Sequence, residues 1–536
     1  MTLLLSEFVA NYGLLILMLL SLSGLWLIPL LYKLIQGDHK YSEMCSRWNI
    51  IEHGIGYITW EWNSFSKYLP KQVLSSSRLY LKMNGVVRGI FNTSFGFGVF
   101  MSVLLGIICA LFLVLHLIYF VWTIGMIPLS KQLEISKATA QDETEASSAL
   151  IEASMVMLIP GVNLPFNQIS LLIVSLIICV VVHEYGHAIA ADYQDLRIEN
   201  FGFSVHYFLP SAYVSIETET LEKKPLFSRL MIYCGGVWHN VLLCFFIGIL
   251  IFLFFNPTSY FSIIERPLGN NGVFVKSVDV DNPLYHDLKS NDIILSINRI
   301  PMKDVTSFTG SYDILKTKRG FSVSTEIISQ QEQLYNNKCC LKESDDDGSR
   351  LLCFKFANDL LRQGVCMKVR DVTEHPSCSF KNHNMQHEKE HSECMVPDAD
   401  SGLFILRIKV LEKETDLIYF GTLEQFYHQV IVSDVKVKDF LSFLISLDFV
   451  SDLKKFLEYT IALSLGLAVF NLAPVEFLDG AKIYEVLFIY YLRYFAVKKE
   501  DIDHVKTIYE RLLSVFKVVL ILNICVAFIN AFRVVI

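Results

Sequence analysis

His183, Glu184 and His187 stand in the order H-E-x-x-H inside the otherwise apolar run 169–191, ISLLIVSLIICVVVHEYGHAIAA. Ionisable side chains in so apolar a stretch are costly and by default functional. On a helix, residues four apart share one face about 6 Å apart along the axis, so His183 and His187 present two imidazoles to one cation. Two neutral imidazoles at this spacing hold zinc, and the glutamate beside them serves as base for a water whose pKa the metal lowers towards neutrality. The plainer alternative is a helix with two hydrogen-bonded histidines. The apolar setting favours the metal.

A hydrolytic zinc site needs a third protein ligand and an open fourth position. Carboxylates for that place occur at residues 471–480, NLAPVEFLDG, which follow the apolar stretch 459–470. Pro474 breaks the helix and Gly480 permits a tight turn close to the catalytic helix, which leaves Asp479 on irregular backbone near the membrane interior. Chemistry alone admits either Glu476 or Asp479. Further polar guests lie in the run 226–255, within CGGVWHN at 234–240. Its paired glycines allow another helix to come close, and His239 and Asn240 suit interhelical hydrogen bonding as well as substrate contact.

The elements that must position these groups follow from composition. The chain has 536 residues, 53% hydrophobic and 19% charged, with a mean hydropathy of +0.42. That describes a polytopic membrane protein, with the lipid bilayer as its first partner. A net charge of -8 offers no broad basic surface and excludes nucleic acid as a partner. Apolar runs at 14–31, 95–122, 169–191, 226–255 and 515–535 read as spans, the first a retained anchor because it lacks a basic leader and a small-residue exit. Residues 201–214, FGFSVHYFLPSAYV, are too short and too rich in Gly, Pro and aromatics for a helical span. They read as a re-entrant hairpin offering an edge to an extended substrate.

The organisation expected is accessory spans and a surface segment at 1–127, a polar linker at 128–166, and a membrane core in two parts, 167–256 and 453–536. Between those parts, 257–452 reads as a soluble α/β domain. Its start, GVFVKSVDVDNPLYHDLKSNDIILSINRIPMKDV, resembles a PDZ domain, interrupted at about 334–400. Six cysteines crowd that insertion: Cys339, Cys340, Cys353, Cys366, Cys378 and Cys394. Such crowding suggests an oxidising lumen, and a loop-rich insertion without an evident core needs disulfide staples, whose pairing sequence cannot choose. His383, His387 and His391 recur every four residues but lack an apolar partner stripe, so a solvated loop is preferred to a second metal site. The Asn92 sequon abuts a span and is expected to be unused. Lysines and arginines crowd 33–88, which the positive-inside rule makes cytosolic.

His183-Glu184-x-x-His187 in one span, Asn240 in the next and N-x-x-P-x-x-x-L-D-G later together resemble the site-2 protease family of intramembrane zinc metalloproteases. The interrupted PDZ-like domain, with adjacent Cys339 and Cys340, is similar to the animal-type members of the Golgi and endoplasmic reticulum. The resemblance implies a polytopic α-helical membrane protein with a lumenal PDZ-like α/β domain carrying a cysteine-rich insertion. It implies one Zn2+ held by His183, His187 and Asp479, with Glu184 as catalytic base and Asn240 and Asn471 in substrate or active-site hydrogen bonding. It also implies transmembrane protein substrates, namely membrane-tethered transcription factors such as sterol regulatory element-binding proteins, cut after a first lumenal cleavage. One rival is a catalytically silent membrane receptor or escort that binds transmembrane helices. Another is a metal transporter, which would spread its polar residues along several spans.

Overall fold

The structure, a computed structural model, describes residues 2–62, 78–126, 168–207, 209–267, 271–334, 350–358, 363–378, 392–398, 403–494 and 499–533. The linker 128–166, Cys339, Cys340, His383, His387 and His391 lie outside them. The chain forms two compact units, one of Met1–Ile251 with Asp452–Ile536 and the other of Phe252–Ser451.

The first unit contains α1 (Thr2–Arg47), β1 (Ile50–Gly54), β2 (Tyr57–Trp62), α2 (Arg78–Met126), α3 (Ile169–Tyr193), β3 (Ile198–His206) and β4 (Leu209–Ile216). It continues with α4 (Leu226–Tyr233) and most of α5 (Gly235–Phe255), then takes up most of α6 (Leu447–Asn471), α7 (Asp479–Tyr494) and α8 (Lys499–Arg533). Among the described residues four helical stretches are long and apolar enough to cross a membrane: Gly89–Trp122, Ile169–Tyr193, Gly235–Phe255 and Thr507–Ile529. The protein is thus polytopic. Phe245, Phe246 and Phe252 of α5 are exposed, as a lipid-facing side requires.

The run 226–255 is not one span but two helices. α4 ends at Tyr233 and Cys234 separates it from α5. Two successive glycines, Gly235 and Gly236, disfavour a continuous helix there. The first unit's largest core gathers at the C-terminal end of α3, where Ala188, Ala190 and Ala191 pack with Phe95, Ile232, Val237, Trp238, Leu472 and Ile483. Small side chains on α3 let its neighbours approach closely.

Residues 201–214 form an antiparallel pair of strands, β3 with β4, which continues through β2 to β1 as one four-stranded sheet in the order β1-β2-β3-β4. β4 is therefore an edge strand, and it packs beside α3.

In the second unit a six-stranded sheet carries Val273–Val278, Ile293–Ile297, Phe404–Val410, Leu417–Gly421 and Val430–Ser433, with Ile300–Pro301 beside it. Its core includes Val275, Ile294, Ile297, Leu406 and Tyr419. The cysteine-rich segment is not simply loop. Its strands Leu351–Phe356, Val365–Lys368, Ser377–Cys378 and Ser392–Pro397 join Gly320–Ser324 in a five-stranded sheet, with its own core around Phe321, Phe354, Phe356, Met367 and Met395. Cys378 and Cys394 form a disulfide, and Cys353 and Cys366 are also disulfide-bonded.

Candidate metal centre

One face of α3 carries Ser175, Cys179, His183 and His187, all buried. The helix period brings these four into one line. α6 runs against that line and secures it with polar contacts. Thr460 Oγ1 donates to Ser175 Oγ at 3.0 Å, Ser175 Oγ donates to the Phe456 carbonyl at 3.3 Å, and Cys179 Sγ reaches the Thr460 carbonyl at 3.5 Å.

At the end of the line His183 Nε2 lies 2.9 Å from Asp479 Oδ2, and His187 Nε2 lies 3.2 Å from that oxygen and 3.2 Å from His183 Nε2. The three donor atoms fall within 4.8 Å of one another. On the opposite side of its ring, His187 Nδ1 is 2.8 Å from the Ile232 carbonyl. A carbonyl only accepts, so Nδ1 carries the hydrogen, and Nε2 of the neutral ring is a lone pair aimed at a carboxylate. Atoms gathered this closely in a buried setting need a proton or a cation among them, and two imidazoles with a carboxylate are a donor set that suits a cation. The residues therefore fit a metal. Two imidazoles and one carboxylate are three ligands, the number a catalytic site keeps when its fourth position serves water or substrate.

Asp479 is the first residue of α7 rather than part of irregular backbone. Leu472–Leu478 turns tightly between α6 and α7, with the Leu478 N–H donating to the Val475 carbonyl at 2.9 Å, and Asp479 gains the favourable helix N-terminus. Gly480 does not owe its place to the catalytic helix. A Cβ there would strike the carbonyls of Leu472 and Ala473 in the preceding turn. Glu476 is exposed and stands apart from the cluster.

The close approach to α3 comes instead from α5. A Cβ on Gly236 would lie 2.7 Å from His183 Nε2 and collide with His187 Nε2. Only a glycine leaves the imidazoles their room. Gly186 and Gly235 face each other in the same crossing, each without space for a Cβ.

Glu184 is half-buried on α3. Its carboxylate interacts electrostatically with both imidazoles, with Asp479 and with the backbone N–H of Val214 on β4. Asn240 is fully buried on α5, with Nδ2 3.2 Å from His183 Nδ1. Its Oδ1 is buried without a partner. Asn471 ends α6 half-buried and makes no hydrogen bond to the histidines. His239 bonds to the Gly235 carbonyl of its own helix at 2.8 Å, and its ring lies beside that of Phe95 at a tilt of 45°.

The close approach expected of the paired glycines is found here, between α5 and α3. Two contributors were not singled out by their residue types: the Ile232 carbonyl, and Ser464, which donates to the Asn240 carbonyl at 3.0 Å. The glycine pair was the available signal for the first, because a helix break leaves last-turn carbonyls such as that of Ile232 free to accept from side chains.

Comparison with known sequences gives two findings. The description Peptidase family M50 matches residues 171–502, a range that contains every residue of this cluster. An Arabidopsis thaliana protein named membrane-bound transcription factor site-2 protease homolog is 24% identical over 377 residues, covering 61% of this chain and 71% of its own length.

Proposed function

Since the chain belongs to peptidase family M50, and is thereby a membrane metalloprotease, we propose that it is a zinc endopeptidase that cuts a transmembrane segment of its substrate. The observation that carries this reading is the convergence of His183 Nε2, His187 Nε2 and Asp479 Oδ2 within 4.8 Å beside Glu184. These three residues would hold the ion. Bound there, zinc would supply Lewis acidity, lowering the pKa of a water and polarising the scissile carbonyl.

The rest of the chemistry falls to the chain itself. Glu184 accepts the proton of the attacking water at its carboxylate and returns it to the nitrogen of the leaving amine. The Ile232 carbonyl keeps His187 in one tautomer, and the apolar core around the end of α3 excludes bulk water. A helical substrate hides its carbonyls in its own hydrogen bonds and must unwind before attack. β4 is an edge strand beside α3, with Val214 next to Glu184, and an unwound segment would pair with that edge.

The substrates are read as membrane-tethered transcription factor precursors already cut once in the lumen. The name of the Arabidopsis thaliana relative supports the class. Residues 167–256 and 453–536 are read as the catalytic core, and 257–452 as a lumenal PDZ-like domain with its insertion. Disulfides at Cys353, Cys366, Cys378 and Cys394 favour an oxidising compartment, here the Golgi or endoplasmic reticulum.

Glu184→Gln tests the mechanism. The amide keeps its place beside the histidines but cannot accept a proton, so zinc content should match the parent while release of a reporter from a tethered transmembrane substrate falls at least ~100-fold. Full release by the variant would leave an escort or a different base as the better reading.

A further inference from the structure

We propose that Asn240 is a positioning residue for the metal centre: its Oδ1 accepts the Nδ1–H of His183 and so selects the tautomer whose Nε2 is free to bind. The proposal rests on the metalloprotease reading above and assigns Asn240 to a ligand rather than to substrate.

The argument starts from the ring. His183 turns Nε2 towards Asp479 and His187, at 2.9 and 3.2 Å, so Nε2 is the ligating atom. A neutral imidazole that gives up the Nε2 lone pair must carry its proton on Nδ1. That N–H lies in the interior and needs an acceptor. The Asn240 amide is the group at hydrogen-bonding distance from Nδ1, at 3.2 Å.

In the structure the amide presents Nδ2 to Nδ1 and leaves Oδ1 buried with no partner. This arrangement suits the other tautomer, in which Nε2–H donates to Asp479 and Nδ1 is a bare acceptor. Half a turn about the last side-chain torsion brings Oδ1 to Nδ1–H. An amide answers either tautomer, as a donor in one orientation and an acceptor in the other. Apolar side chains answer neither.

The remainder of the residue is held for this task. Asn240 has no exposed surface, and Ser464 Oγ on α6 donates to its main-chain carbonyl at 3.0 Å. A side chain so enclosed is poorly placed to meet a substrate. The two histidines thus receive outer partners of different kinds, the Ile232 carbonyl for His187 and a side-chain amide for His183. Such partners orient metal-binding imidazoles and raise their basicity.

The test measures zinc affinity of the full-length protein in detergent by competition with a chromophoric chelator. Asn240→Leu, nearly the same size but with no acceptor, should weaken zinc binding about 10–100-fold. Asn240→Asp, which keeps an acceptor at the same place, should bind at least as tightly as the parent. Zinc binding by Asn240→Leu within about two-fold of the parent, or an equal loss in both variants, overturns the proposal. Should Asn240→Leu fail to fold, Asn240→Asp decides alone, since weakened binding there is incompatible with an acceptor role. A parent protein that binds no zinc would instead remove the metalloprotease reading beneath it.

Discussion

At the scale of single residues, the histidine pair and its glutamate were legible because four-residue spacing on a helix is a geometric constraint written directly in the sequence. The third carboxylate was legible only through the motif resemblance, which favours Asp479, since Glu476 and Asp479 both follow Pro474 and composition cannot rank them. The structure separates them by position: Asp479 Oδ2 faces both imidazoles, while Glu476 is exposed. Asp479→Ala should therefore lose zinc and proteolysis together, because two imidazoles leave the site a protein ligand short. Glu476→Ala should retain most of both. Zinc content of the two purified variants decides the matter, and loss confined to Glu476→Ala would reverse the assignment. Neither the orientation of Asn240 nor the partner of His187 was readable, since each depends on which neighbour a fold brings to a ring nitrogen.

At the scale of elements, the apolar runs located α3 and the later spans, but hydropathy treats every face of a helix alike. It therefore joined α4 to α5 across Cys234, where the glycine pair ends one helix and begins the next. It also left residues 50–62 without a role, although β1 and β2 extend the β3–β4 hairpin into a sheet. Strand partners distant in sequence leave no local signal. The line of small polar residues on α3 was equally silent, because Ser175 and Cys179 look unremarkable in an apolar run. Its contacts with α6 yield a prediction. Ser175→Ala and Thr460→Val each remove one side of a buried bond 3.0 Å long, and in a membrane interior such pairs contribute about 0.6 kcal/mol on average. A double-mutant cycle on unfolding in mixed micelles should give a coupling near that figure. Strictly additive effects would mean that apolar packing, not this bond, holds α3 to α6.

At the scale of the whole molecule, the cysteine crowding pointed to staples but concealed the sheet they accompany. Strands broken up by polar and histidine-rich sequence do not alternate cleanly, so the core formed by Phe354, Phe356 and Met395 could not be read from pattern. Cys378 and Cys394 lie in strands that both pair with Gly320–Ser324. Their loop is short, with a sequence separation of 16, and a closure of that size contributes about 3 kcal/mol in the chain-entropy view. Because the sheet has a core, reduction should loosen rather than abolish it. The metal cluster belongs to the other unit and contains no cysteine, so reduction should leave zinc in place. Two measurements on the same sample test this: protease cleavage within 320–398, expected to rise on reduction, and zinc content, expected to stay constant. Unreduced peptide mapping should recover the Cys378–Cys394 cross-link beforehand. Zinc released at the rate at which the disulfides open would show that the two units are coupled, and would move the staples from supporting a sheet to supporting the catalytic centre.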